Sequence, residues 1–201
     1  MAGQRSCWEN RRKDGLKNDY GKEVNLSQRA VVYSPDKLVI GDHSRIDDFC
    51  ILSCSGGLTI GKYVHVACYT ALFAGAGIIL EDFSCISGHS VIYSKSDDYS
   101  GEYMSNPTVP EKYTKLDSGL VTLKRHAMVG HNVTIMPGVT IGEGATVGAK
   151  SYVTRDCEAW GIYVGIPARK IGEKSRNVLN LEQELLREEG YLQCVHKEYT
   201  E

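Results

Sequence analysis

Val129-Gly-His-Asn-Val-Thr-Ile-Met-Pro-Gly-Val-Thr-Ile-Gly-Glu-Gly-Ala-Thr-Val-Gly-Ala-Lys-Ser-Tyr-Val-Thr-Arg-Asp156 decides the fold. An aliphatic residue returns at every sixth position: Val129, Ile135, Ile141, Val147 and Val153. Further back the same column runs through Ile40, Ile46 and Leu52, skips two residues to Ile60, Val66 and Leu72, and skips two more to Leu80, Ile86 and Ile92. It resumes at Leu123. All 15 positions are Ile, Leu or Val, types that fill only 45 of the 201 positions, so chance does not account for the register.

The fifth residue of each hexapeptide is an independent check. Ser44, Cys50, Gly56, Val64, Thr70, Ala76, Ser84, Ser90 and Ser96, then Ala127, Val133, Val139, Ala145, Ser151 and Cys157, are all small or compact and β-branched. Gly stands second at Gly41, Gly61, Gly130, Gly142 and Gly148, where it is expected to ease a corner. A six-residue period excludes amphipathic helices, whose stripe repeats near 3.6. Short strands separated by tight corners, three hexapeptides to a coil, make an all-β, three-sided parallel β-helix whose coils stack one on the next. The first partial coil is expected from Leu26, with Ala30 in the small position and Val32 opening the next hexapeptide.

Two segments break the pattern. Asp97 to Gly119 is polar, carries Tyr99, Tyr103, Pro107, Pro110 and Tyr113, and is longer than most connections. An ordered arm is expected there. From Lys174 onward Val178, Leu181 and Leu185, flanked by Leu179 and Leu186, follow helical spacing. That predicts a C-terminal α-helix covering the body or a neighbouring subunit. The expected organisation is an N-terminal extension over 1–25, a β-helix over 26–172 with an inserted arm at 97–119, and a helix and tail over 173–201.

Lys+Arg number 23 and Asp+Glu 25, a net charge of −2, which argues against a nucleic-acid binder. Arg5, Arg11, Arg12, Lys13 and Lys17 near the start read as a solvated or subunit-contacting terminus, since no aromatic platform accompanies them. No apolar run is long enough for a membrane span, and Met1 to Asp19 has no apolar signal-peptide core. Seven scattered cysteines read as reduced thiols, so cytoplasmic residence is the expectation.

The Val129–Asp156 stretch resembles the hexapeptide-repeat acyltransferases, and Gly165-Ile-Pro-Ala-Arg-Lys-Ile171 resembles the closing segment of their galactoside and xenobiotic acetyltransferase branch. Ile92-Tyr-Ser-Lys-Ser-Asp-Asp-Tyr99 resembles sugar O-acetyltransferases of polysaccharide biosynthesis. The resemblance implies a left-handed helix, a homotrimer with sites between subunits, and acetyl-CoA as donor, with no metal. Matched to the motif, the CoA arm falls on Gly148, Ala149, Arg155, Gly165, Ile166, Pro167, Ala168 and Arg169. An extended pantetheine needs exposed backbone groups, and its nucleotide phosphates attract Arg. Trp160 is expected to pack against the last coil rather than stack on adenine.

Acyl transfer needs a base near neutrality, and histidine is the obvious one. His43 and His196 read as structural or surface residues; His65 reads likewise, with an inter-subunit role open. His131, third in Val129-Gly-His-Asn132, resembles the base position of the sugar-nucleotide acyltransferases, with Asn in place of Asp. His89 and then His126 follow as candidates. Where the galactoside branch carries its histidine this chain has Asp97 and Asp98, which either orient a His, bind a sugar hydroxyl or are solvated loop carboxylates. With Tyr99 and Tyr103 they are the candidate acceptor-binding residues.

The function these readings favour is acetyl transfer from acetyl-CoA to a hydroxyl of a sugar or nucleotide sugar, with N-acetylation of an amino-sugar nucleotide as the alternative. A noncatalytic binding member and a metal enzyme like the γ-type carbonic anhydrases are less favoured. In the latter the five-residue separation of His126 and His131 fits, but their register does not.

Overall fold

The computed structural model describes residues 19–190. The basic stretch before Asp19, and Cys194 and His196 after Gly190, lie outside the described residues. Short parallel strands stack into three faces. The first face runs Asp19–Tyr20, Leu38–Ile40, Leu58–Ile60, Ile78–Leu80, Val121–Leu123 and Thr140–Ile141. The second runs Asn25–Leu26, Arg45–Ile46, His65–Val66, Cys85–Ile86, Met128–Val129, Thr146–Val147 and Gly161–Gly165, and Ala168–Glu173 closes it antiparallel. The third runs Val31–Tyr33, Ile51–Ser53, Ala71–Phe73, Val91–Tyr93, Thr134–Ile135 and Tyr152–Val153. The chain is thus the β-helix that the six-residue period predicts. Its first strand precedes Leu26, because Asp19 and Tyr20 pair with Val39 and Ile40.

All 15 column positions are buried. Each fully buried aliphatic side chain is worth about 1.5–3 kcal/mol relative to exposure. The small-residue column departs from expectation at the corners between the third and first faces. Gly56, Ala76 and Ser96 are not inside; Leu58 and Ile78 take the inward position, with Cys54, Ala74 and Ser94 buried beside them. Two extra residues widen that corner and leave room for a large side chain. Glycine also has another reason than the one expected. Gly41, Gly130 and Gly142 are not among the positive-φ residues. A Cβ on Gly41 would lie 2.6 Å from the Gly61 carbonyl carbon, and on Gly130 2.7 Å from the Ala149 nitrogen. Glycine is required there by the close approach of stacked backbones.

The corners between the first and second faces repeat the left-handed conformation at His43, Tyr63, Phe83, His126 and Trp160, with φ between 55° and 62°. A fixed backbone aims each side chain the same way, so the rings stack. Centroids lie 4.8 Å apart for His43–Tyr63, 4.9 Å for Tyr63–Phe83 and 5.2 Å for Phe83–His126. Gly144 follows, and the Trp160 ring fills the space its missing side chain leaves. Trp160 is 5% exposed, in keeping with a packing role.

Helix α1 (Val178–Glu188) lies against this ladder. The leucine stripe was expected to make the contact. Val178, Leu179, Leu185 and Leu186 are half-buried whereas Leu181 is 55% exposed, and polar groups add to the attachment. Arg125 Nε donates to Glu182 at 3.1 Å, His126 Nε2 lies 2.6 Å from Glu182, and Tyr63 donates to Glu189. The arm is ordered: Lys95–Asp97 pairs antiparallel with Leu116–Ser118, carrying a 3-10 turn at Glu111–Tyr113.

Candidate active site

The corners between the second and third faces build a second ladder. Phe49, Tyr69 and His89 adopt φ near 60°. The Arg29 guanidinium sits 5.8 Å from the Phe49 centroid, Phe49 stacks on Tyr69 at 5.0 Å, and Tyr69 stacks on His89 at 4.8 Å. After the arm the left-handed residue is Asn132, and the ring next in line belongs to its neighbour His131. His131 meets His89 at 5.2 Å with the rings inclined by 70°. Both histidines are exposed.

Below His131 the edge continues into the last coils. Lys150 N donates to the His131 carbonyl at 2.8 Å, and Gly148 N donates to Tyr163 O at 2.7 Å. Gly165 N donates to Ser151 Oγ at 3.1 Å. The structure thereby sets His89, His131, Gly148, Ala149, Gly165, Ile166, Pro167 and Ala168 along one edge. Ile166 is 77% exposed and Val164 borders it, so this end of the edge is an open apolar surface with backbone groups beside it. Arg169 opposes Val164 on the return strand. Arg155 stands apart, at the corner between the third and first faces.

A cleft of about 890 Å³ opens between the arm and the outer side of the third face. Phe73 and Tyr93, stacked at 5.2 Å, form its wall with Tyr152 and Met136. Of the four candidate acceptor residues, Asp97 and Tyr99 line it; Asp98 and Tyr103 do not. Asp98 is engaged within the arm, where the Ser100 hydroxyl donates to it at 2.6 Å and holds its carboxyl below the usual range. Tyr103 lies under Lys115, whose Nζ is 5.3 Å from the ring centroid. The sequence reading missed Phe73, Tyr93, Tyr152 and Glu111. The first three alternate with core residues on one face, a period-2 signal that could have found them.

The remaining histidines among the described residues each face a carboxylate. His43 Nδ1 lies 3.0 Å from Glu23, His65 Nε2 2.9 Å from Asp47, and His126 contacts Glu182. His126 and His131 sit at successive corners, in different ladders, so their spacing does not make one site. Among the described residues no three His, Cys, Asp or Glu side chains form a metal-ligand group, and no helix is long and apolar enough to cross a membrane.

A parallel β-helix with an open edge and an inserted arm defines a class, the bacterial hexapeptide transferases; the family description "Bacterial transferase hexapeptide (six repeats)" matches residues 121–155. The chain belongs to the hexapeptide-repeat acyltransferases of the left-handed β-helix fold. It is 42% identical to dTDP-4-amino-4,6-dideoxy-D-glucose acyltransferase of Escherichia coli, over 81% of this chain and 85% of that one. It is 30% identical to the putative lipopolysaccharide biosynthesis O-acetyl transferase WbbJ of Escherichia coli K12, over 63% and 64% of the two chains. Among solved structures it superposes on an aspartate-to-alanine mutant of AntD, an N-acyltransferase from Bacillus cereus, in complex with dTDP and coenzyme A. The TM-score is 0.86 and the identity 42%, covering 90% of this chain and 98% of that one. AntD has also been solved with dTDP and 3-hydroxybutyryl-CoA. Acyl transfer to a sugar is the activity these relatives support.

Proposed function

We propose that the protein transfers an acyl group from acyl-CoA to the amine of a nucleotide-linked amino sugar. The observation that carries this reading is the 42% identity, over most of both chains, to an acyltransferase of a dTDP-amino sugar. It moves the preferred acceptor from the hydroxyl expected above to an amine. The edge from His131 to Pro167 is the donor groove, and the arm cleft is the acceptor side. The amine attacks the thioester carbonyl as the free base, and His131 takes the proton released as the C–N bond forms. The tetrahedral intermediate then collapses and expels the CoA thiolate, which recovers that proton from the imidazolium. Arg169, on the return strand beside that edge, serves the nucleotide phosphates of CoA, whereas Arg155, at another corner, has no part in this groove.

Support for Asp97 comes from AntD, which was studied through variants of one serine and one aspartate ten positions apart. Ser87 and Asp97 are the only serine and aspartate at that spacing in this chain. Ser87 borders the His89 corner, whereas Asp97 lies on the arm, across the third face. Three residues of strand at roughly 3.3 Å each put about 10 Å between those sides. That separation supports a homotrimer in which one protomer's arm meets a neighbour's edge. Exposed Val31, Ile51, Phe49 and Tyr69 supply apolar surface for such a contact. Use of acyl-CoA and reduced thiols fits a cytoplasmic enzyme.

The test is incubation of purified protein with 3-hydroxybutyryl-CoA or acetyl-CoA and dTDP-4-amino-4,6-dideoxyglucose. The expected product carries one acyl group and resists hydroxylamine, as an amide does. A hydroxylamine-labile ester, or no CoA release with the amine acceptor, overturns the reading. Sedimentation as a monomer at micromolar concentration overturns the shared site.

A further inference from the structure

We infer that His89 is a positioning residue for His131, holding the second imidazole at the working angle through the ring ladder beneath it. The inference rests on the reading of His131 as the base. At Phe49, Tyr69 and His89 the corner residue itself carries the ring, and successive planes differ by only 20° and 18°. The left-handed backbone fixes each Cα–Cβ direction, so Arg29, Phe49 and Tyr69 together set the plane of His89. The coil after the arm shifts this register by one residue. Asn132 takes the left-handed position, and its N–H donates to the Gly88 carbonyl at 3.0 Å, tying the two corners together. The ring of His131 therefore stands outside the stack and meets His89 at 70° instead of lying on it. A stacked ring would have its faces covered; an inclined one is held on one side and open on the others. The His131 main chain is anchored by Lys150 at 2.8 Å, which leaves side-chain rotation as its freedom. His89 is the ring in contact that restricts it.

Phenylalanine is compatible with this backbone, because Phe49 occupies the equivalent left-handed corner at φ 62°. His89→Phe therefore keeps the ring and removes the nitrogens. In the acyl-transfer assay His89→Ala is expected to lower kcat on the order of tenfold, as small misplacements of a reacting group do, with both KM values within about twofold. His89→Phe recovers most of that loss. Adding His89→Ala to His131→Ala costs nothing further, since the two act as one unit. Independently of turnover, His89→Ala shifts the His131 ring resonances in a proton–nitrogen NMR spectrum of histidine-labelled protein, and His89→Phe leaves them near their original positions. Impairment by His89→Phe equal to that by His89→Ala overturns the inference, because the nitrogens of His89 are then needed. Unmoved His131 resonances in His89→Ala overturn it as well. A fully active His131→Ala overturns the base assignment instead, and the resonances still report whether His89 holds the ring.

Discussion

His126 and Glu182, from a corner of the fifth coil and from the C-terminal helix, lie 2.6 Å apart with side chains only 10% and 9% exposed. Arg125 donates to the same carboxylate, so Glu182 collects two partners in a site with little water. Burial, reinforced by Arg125 and then Lys174, lowers the pKa of His126, so at neutral pH the imidazole is uncharged and can donate to Glu182 through Nε2. Removing one member of such a buried group strands the others. Glu182→Ala is therefore expected to cost about 2–4 kcal/mol. The check is thermal unfolding together with proteolysis near residue 175; an unchanged midpoint and an uncut tail defeat the expectation.

The buried thiols set an alkaline limit. Burial pushes Cys50 and Cys54 up to about 11 and Cys157 up to about 12. A free thiol ionises near 8.5, so above that value the unfolded chain sheds protons that the native protein retains. Stability is thus intact below about pH 8.5 and declines as pH rises beyond it. Denaturant titrations at pH 8 and pH 10 should show that loss, and it should shrink in Cys50→Ala/Cys157→Ala. In native protein at pH 8, iodoacetamide should leave Cys50, Cys54 and Cys157 unmodified by peptide mapping.

Gly130→Ala should destabilise the β-helix by about 1–3 kcal/mol, the usual scale for overpacking. The added carbon falls 2.7 Å from the Ala149 nitrogen and 2.9 Å from the Val147 carbonyl oxygen, and neither backbone atom can swing aside. Gly172→Ala, whose added carbon meets nothing within 4 Å, is the matched control and should be nearly silent. Equal melting temperatures for the two variants would contradict the close-approach explanation.

Replacing Ser100–Lys115 by two glycines should leave the coils folded, since Ile92 and Leu123 flank the arm in unbroken core columns. It removes Asn106, Pro107, Val109, Glu111 and Thr114 from the cleft. Acceptor turnover should then vanish while thermal protection by CoA persists. Loss of far-ultraviolet β signal would instead show the arm to be structural.

The fold was legible because a solenoid writes its core one coil at a time. Ile40, Ile60 and Leu80 repeat the same environment, and 15 agreeing positions leave little freedom. The corners that admit Leu58 and Ile78 were harder to read, because a two-residue insertion changes the room inside without changing the column. The helix was legible as a helix, but its attachment through Glu182 was not. Leucine spacing announces an apolar contact, whereas an ion pair with Arg125 and a hydrogen bond with His126 need three dimensions to be seen. For the candidate site, Gly148, Ala149, Gly165 to Ala168 and His131, matched by motif, and His89, left after the other histidines were set aside, fall on one edge, whereas Arg155 does not. The inclined contact of the two histidines was not visible, since it depends on His131 standing one residue before the left-handed corner, 42 residues after His89 where the coils repeat at 43.

A stack whose levels touch only their immediate neighbours can come apart a level at a time, like an unfastened zip. Helix α1 changes that. Glu189 reaches Tyr63 and Glu182 reaches His126, so one segment grips coils separated by 63 residues of sequence. Everything between those grips must yield together, and only the levels before Tyr63 are left to fray singly. Amide exchange should accordingly show two regimes: a slope of rising protection from Asp19 toward the third coil, then a plateau of common opening energy that runs to the closing hairpin.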